Sequence, residues 1–114
     1  MSKRSIQDAG GLPRPVEELL AAANGHDTEA FLAAFTANGV VDDWGREFRG
    51  AEAIRGWSDR EFIGVAVTLE VEDVTTRDGE TIVGAQVGGD GFNGGSHFSF
   101  EVADDRVRRM TIRA

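Results

Sequence analysis

The sequence contains no cysteine and no tyrosine, and only two prolines and two histidines among its 114 residues. Without cysteine there is no disulfide framework, no thiolate nucleophile and no cysteine-based zinc site, so nothing argues for secretion and a cytoplasmic location is expected. His26 and His97 lie far apart, and the acidic residues show no ligand spacing along one helix or strand; neither a metal nor any other cofactor is expected. No apolar run approaches the ~18 residues of a membrane-crossing helix. The segment Met1 to Arg14 carries Lys3 and Arg4 but no apolar stretch of signal-peptide length, and it reads as a flexible arm ahead of a single domain over 15–114. Basic residues are also scarce, 12 against 20 acidic ones, for a net charge of -8. Such a field repels phosphate backbones, and the one basic cluster, Arg106, Arg108, Arg109 and Arg113, alternates with Val107, Met110 and Ile112. That alternation describes the charged outer face of a strand, with Glu70, Glu72 and Glu101 as acidic partners. Neither nucleic acid nor a membrane is expected to be a partner.

What is present specifies an α+β domain with one core. Pro15 suits the first turn of a helix, Glu17 and Glu18 complement its dipole, and Val16, Leu19, Leu20 and Ala23 form its apolar stripe as far as Asn24. Gly25 ends it. Asp27 caps a second, short helix whose face is Phe31, Leu32 and Phe35. Val40 to Trp44 reads as a strand, Gly45 to Gly50 as a connection, and Ala51 to Ile63 as a third helix with Ile54, Trp57 and Phe62 inward. Gly56 in its middle implies close packing against another element. From Val65 the apolar period becomes two: Val65, Val67, Leu69 and Val71 alternate with polar residues, Arg77 to Glu80 turns the chain, and Thr81 to Val87 returns. The Gly88 to Gly95 loop is followed by a strand rather than a helix, which makes it a long hairpin turn and not a phosphate cradle. Ser96, Phe98, Phe100 and Val102 then alternate inward, and after Asp104 and Asp105 a last strand runs from Arg106 to Arg113. The expected plan is three helices followed by a four-stranded meander.

Three stretches carry a resemblance over nearly the whole chain: Phe35-Thr-Ala-Asn-Gly-Val-Val-Asp-Asp-Trp44, Phe48-Arg-Gly-Ala-Glu-Ala-Ile-Arg-Gly-Trp57, and Ser96-His-Phe-Ser-Phe100 leading to Val107-Arg-Arg-Met110. In these the sequence resembles the nuclear-transport-factor-2-like superfamily, in its SnoaL-like and ketosteroid-isomerase-like branch. The resemblance implies a cone-shaped fold, three N-terminal helices packed on a curved, mostly antiparallel sheet that encloses a pocket, and a homodimer formed through the outer sheet face. It matches Asp43 to the general base of the isomerases. The oxyanion-holding tyrosine and protonated aspartate of those enzymes, a worked example of tuned carboxyl chemistry, match Leu19 and Ser96. The acid/base aspartate of the SnoaL-like cyclases finds no inward-facing counterpart beyond the third helix. Nor does any strand carry the Arg-x-Asp pair of the limonene-epoxide-hydrolase branch.

Asp43 is thus the candidate catalytic group: a carboxylate at the mouth of an apolar cavity is driven toward its protonated form by desolvation and can exchange a proton with carbon or water. Asp42 and Asp43 are equally readable as two strand-end carboxylates, one solvated and one holding the backbone of the following connection. The candidate ligand-binding wall is Leu19, Phe35, Trp44, Phe48, Trp57, Ser96, Phe98 and Met110, facing a small apolar or aromatic ligand. Arg46 and Arg49 either anchor an anion or pair with Asp42, Glu47 or Glu52. His97 falls on the outer face beside Ser99, and His26 in an exposed turn. Two functions stay open: an isomerase, cyclase or dehydratase using Asp43 on a small hydrophobic carbonyl compound, or a non-catalytic ligand-binding or dimerisation module.

Overall fold

The computed structural model describes residues 12–114. The order of elements is α1 (Arg14–Asn24), α2 (Thr28–Ala33), β1 (Phe35–Asp43), β2 (Arg46–Arg49), α3 (Ala51–Glu61), a 3-10 turn (Ile63–Val65), β3 (Thr68–Arg77), β4 (Glu80–Gly88), β5 (Gly94–Ala103) and β6 (Arg106–Arg113). Of the expected N-terminal arm, residues 1–11 lie outside the described residues. Leu12 packs against the core, Pro13 caps α1 and Arg14 opens it, so these three belong to the domain.

Helix α1 buries Val16, Leu19, Leu20 and Ala23, the stripe read from the sequence. In α2 the Asp27 carboxylate accepts a hydrogen bond from the Ala30 N–H at 3.1 Å, the cap that this short helix needs. Phe31 is its buried anchor. Phe35 does not complete that helix, as the periodicity had suggested; it opens β1. The Val107 N–H donates to the Ala34 carbonyl at 2.8 Å and Phe35 pairs with Val107, so the last strand captures the chain there and draws it out of helical geometry.

All six strands form one sheet in the order β2-β1-β6-β5-β4-β3. The meander β3 to β6 is present as expected, and β1 joins it beside β6 through a parallel pairing, the others being antiparallel. The presumed connection 45–50 holds a further strand, β2, joined to β1 by the two-residue turn Trp44-Gly45. The edge strands β2 and β3 do not meet, so the sheet is open. Register shifts between Phe35 and Val40, between Val71 and Asp73, and between Glu101 and Val102 interrupt three of its ladders, and bulges of this kind bend strands.

The third helix stops at Glu61 rather than Ile63. Phe62 and Ile63 both turn inward, Phe62 directly after the helix and Ile63 as the first residue of the 3-10 turn. Helix α3 packs on β1 and β2, and α1 on β3, β5 and β6. The core between helices and sheet includes Val16, Leu19, Phe31, Val41, Ile54, Trp57, Val83, Phe98, Phe100, Val107 and Met110, all essentially inaccessible. Close packing does not explain Gly56: a Cβ there would meet only the Arg60 guanidinium, at 3.1 Å on the same helix.

Candidate functional site

Beyond the end of the packed core, between α3, the 3-10 turn and the inner face of the sheet, lies a hollow of about 320 Å³. Asp43 and Trp44 line it from the end of β1, and Trp57, Arg60, Glu61 and Phe62 from α3 and its end. Val65 and Val67 contribute from the 3-10 turn and the approach to β3, Val87 and Gly88 from β4, and Gly91 and Phe92 from the glycine loop. Ser96 and Phe98 of β5 and Ile112 of β6 complete the wall.

Alternation along β1 separates its two terminal carboxylates. Asp42 faces outward. It accepts hydrogen bonds from the Gly45 N–H at 2.7 Å, Arg109 at 2.7 Å and Arg113 at 3.1 Å, and it is 6% exposed. Its carboxyl is held below the ordinary range chiefly by the Arg113 hydrogen bond, against the opposing effect of burial and with help from Gly45 and Arg109. Asp43 faces inward, paired with Ile112 and Arg46. Its Oδ2 accepts from Trp57 Nε1 at 3.0 Å and from Arg46 at 2.6 Å, whereas Oδ1 has no hydrogen-bond partner among the described residues. The side chain is 15% exposed. Of the two carboxylates, then, Asp42 holds the turn and Asp43 faces the hollow.

Arg46 does more than pair with one acid. Its guanidinium forks onto Glu61 at 2.7 and 2.9 Å as well as reaching Asp43, so it ties the β1–β2 hairpin to the end of α3. The Arg46 hydrogen bonds keep Glu61 below the ordinary carboxylate range, and Glu61 first, then Asp43, raises Arg46 further above its own. These partners differ from the Asp42, Glu47 or Glu52 foreseen. Arg49 reaches the Asn38 carbonyl at 3.4 Å. On the outer face Arg109 bridges Asp42 and Glu47, and Arg108 pairs with Glu101; Glu70 and Glu72 take no part in these pairs.

Four of the eight side chains expected on the wall are brought together: Trp44, Trp57, Ser96 and Phe98. The other four lie elsewhere. Leu19 is wholly buried where α1 meets the sheet. Phe35 packs edge-on to Phe31 at 5.4 Å between ring centres, in the cluster on the helix side. Met110 is buried in the sheet between Val41 and Phe100, and Phe48 stands beside Trp57 at 6.1 Å without reaching the hollow. Ser96 is 5% exposed, and its hydroxyl finds no partner among the described residues. His97 is exposed on the outer face, its Nδ1 3.0 Å from the Ala114 carbonyl oxygen. His26 is exposed too, with Nε2 2.8 Å from the Val67 carbonyl oxygen. No group of three His, Asp or Glu side chains converges among the described residues. No helix among them is long and apolar enough to cross a membrane.

Sequence reasoning did not place Arg60, Glu61, Phe62, Val65, Val67, Val87, Gly88, Gly91, Phe92 or Ile112 on the wall. A lone phenylalanine among five glycines, Gly88, Gly89, Gly91, Gly94 and Gly95, was the available signal for Phe92.

The family model of the SnoaL-like domain matches residues 16–110. The chain belongs to the SnoaL-like family. Among solved structures, this SnoaL-like chain is similar to a Sinorhizobium meliloti protein described as a candidate polyketide cyclase. The two are 27% identical with a TM-score of 0.78, over 90% of this chain and 95% of that one. It shares its fold with a ketosteroid-isomerase-like protein from Catenulispora acidiphila in complex with trimethylamine, at 19% identity and TM-score 0.76, over 91% of this chain and 87% of that one. The same holds for a Mycobacterium tuberculosis protein in complex with estradiol-17beta-hemisuccinate, at 16% identity and TM-score 0.72, over 87% of this chain and 89% of that one. No curated protein matches the sequence. Of the positions the resemblance matched to the isomerases, Asp43 carries a carboxylate that lines the hollow, and Ser96, also on the wall, stands where they have the protonated aspartate. The residue at the tyrosine position, Leu19, is part of the core.

Proposed function

We propose that this SnoaL-like protein binds a small, largely apolar or aromatic molecule in the hollow. The observation that carries this reading is the unfilled space itself: about 320 Å³, at the lower end of ligand-pocket volumes, walled mainly by Trp57, Phe62, Val67, Val87, Phe98 and Ile112. Such walls reward an apolar body, and the few polar atoms among them fix its orientation. The ligands of structural neighbours, a steroid ester and a small amine, agree with a fold that accommodates small molecules. Titration with 2-tetralone, followed by tryptophan fluorescence, is expected to saturate. Ser96→Trp, which fills the hollow, is expected to abolish the signal. Equal binding by wild type and Ser96→Trp would place the ligand elsewhere and end this reading.

The unpartnered Oδ1 of Asp43 favours a second, more specific reading: acid/base chemistry on a small hydrophobic carbonyl compound, in an isomerase, cyclase or dehydratase role. In the elementary step a C–H proton beside the carbonyl moves to Asp43, the bonding pair is left as an enolate, and the Ser96 hydroxyl donates to the enolate oxygen. Wild type is then expected to speed deuterium exchange at the carbons flanking the 2-tetralone carbonyl, and Asp43→Asn to lose that rate while still binding. Exchange no faster with wild type than with Asp43→Asn leaves the binding reading alone.

The outer sheet face, where His97, Ser99 and Thr111 lie together, is the proposed surface for a homodimer. The family resemblance and the absence, among the described residues, of any helix over that face support it.

A further inference from the structure

The mouth of the hollow is framed by two exposed aromatic rings. Among the described residues the exposed large apolar side chains are Trp44, Val71, Phe92 and Val102; Trp44 is 59% and Phe92 60% exposed, and both line the hollow. Large rings left in water at a cavity opening forgo the burial that core aromatics gain, which needs a reason.

The backbone supplies one for Trp44. It occupies the first position of the two-residue turn between β1 and β2 with φ 55°, a left-handed conformation that bulky residues adopt at a cost in strain. Two other tight turns of the same sheet serve as internal controls. They carry Asp78-Gly79 and Asp104-Asp105 at positive φ, residue types that tolerate it. The tryptophan is therefore not there to make the turn. The turn is nonetheless held firmly, by the Gly45 N–H on Asp42 at 2.7 Å and the Trp44 N–H on the Ile112 carbonyl at 3.3 Å.

Phe92 is also fixed through backbone. Its loop is pinned by the Asp90 N–H on the Val65 carbonyl at 2.8 Å and by Asn93, whose amide donates to the Gly89 and Gly91 carbonyls at 2.9 and 3.1 Å. Its ring lies across Gly94, where a Cβ would come within 3.1 Å of Cζ. At the inner end Ser96 gives an independent sign of an occupant: a hydroxyl 5% exposed, on the wall of the hollow, without a partner among the described residues.

From these features we infer that Trp44 and Phe92 form an outer subsite that grips a flat apolar extension of the bound molecule, so that the ligand is longer than the hollow and protrudes between the two rings. The inference rests on the binding reading above and adds the length and shape of the ligand to it. Because the backbone that carries each ring is held before binding, the grip costs less ordering than it would on a free loop.

The test compares 2-naphthol with 6-phenyl-2-naphthol, which carries one further ring on the same head, by calorimetric titration of wild type, Trp44→Asn and Phe92→Ser. Either substitution is expected to weaken 6-phenyl-2-naphthol about five- to tenfold, the scale of a lost aromatic contact, and to weaken 2-naphthol by a clearly smaller factor. Trp44→Asn is expected to melt no lower than wild type, since asparagine suits the turn. Equal losses for both probes, or none, overturn the outer subsite while the binding reading survives. A Trp44→Asn variant that melts well below wild type shows the ring to be structural and also overturns it. Failure of wild type to bind either probe overturns both.

Discussion

Side chains alternate across a strand, and at the end of β1 that alternation sends neighbouring carboxylates into opposite environments. Asp42 lies beneath Arg109 and Arg113 on the outer face and ties down the turn that displays Trp44. Replacing it with asparagine is expected to cost about 1–3 kcal/mol near neutral pH, measured by urea unfolding, because charge-assisted hydrogen bonds are weakened at a site shielded from water. The folded-state pKa of Asp42 lies below its unfolded value, so its contribution is complete above the unfolded value and fades as pH falls through the folded one. The stability gap between wild type and Asp42→Asn should therefore narrow as pH is lowered from about 5 toward 2. A gap that stays constant over that range would show that the ion pairs do not hold the carboxylate. The resemblance directed Asp43 to the pocket, whereas composition alone left open which of the two carboxylates holds the turn, since a single register step exchanges the faces. Sequence reasoning identified Trp57, Ser96 and Phe98 from periodicity, and missed Phe92 because a loop has no period.

Among the elements, α3 and the 3-10 turn after it each hold a glycine, with opposite expectations. Gly56 is a helix-interior glycine with only the mobile end of Arg60 nearby, so Gly56→Ala is expected to raise stability by about 0.5–1 kcal/mol in thermal or urea unfolding. No gain would mean that the Arg60 position near Gly56 matters more than helix propensity. Gly64 is the reverse: a Cβ there would fall 1.7 Å from the Asp59 carbonyl oxygen, an approach no side chain can relieve. Gly64→Ala is expected to cost about 3 kcal/mol, and a variant as stable as wild type would contradict the close approach. The helices, β4 and most of β5 were legible because their buried residues follow a period of 3.6 or two; the register shift at Glu101 leaves Val102 exposed against expectation and sets the buried Val107 and Met110 of β6 three apart. β2 was not: Arg-Glu-Phe-Arg carries one apolar residue in four and is an edge strand held by its neighbour. The first half of β1 is equally opaque: β6 takes up Phe35 and then Val40, and Thr36, Ala37, Asn38 and Gly39 lie between them across the register shift, with a composition that marks no strand.

For the whole molecule, the outer sheet face has no helix packed over it among the described residues, and its use as a dimer interface is open to direct measurement. Sedimentation equilibrium at micromolar concentration is expected to return twice the single-chain mass, and Thr111→Glu, which puts a charge among Ser99 and His97, to return the single-chain mass. A single-chain mass for wild type would reject the dimer.

The position of β6 between β1 and β5 has a further consequence for how the fold is reached. Synthesised from the N-terminus, the nascent chain holds the β1–β2 hairpin and the β3–β5 ribbon as two fragments, each with an unmet row of amides and carbonyls. Residues 106–113 are the zip between them, and they leave the ribosome after everything they join. The sheet must close in one late, long-range step, so the growing polypeptide is most exposed to mispairing and chaperone capture just before residues 106–113 emerge.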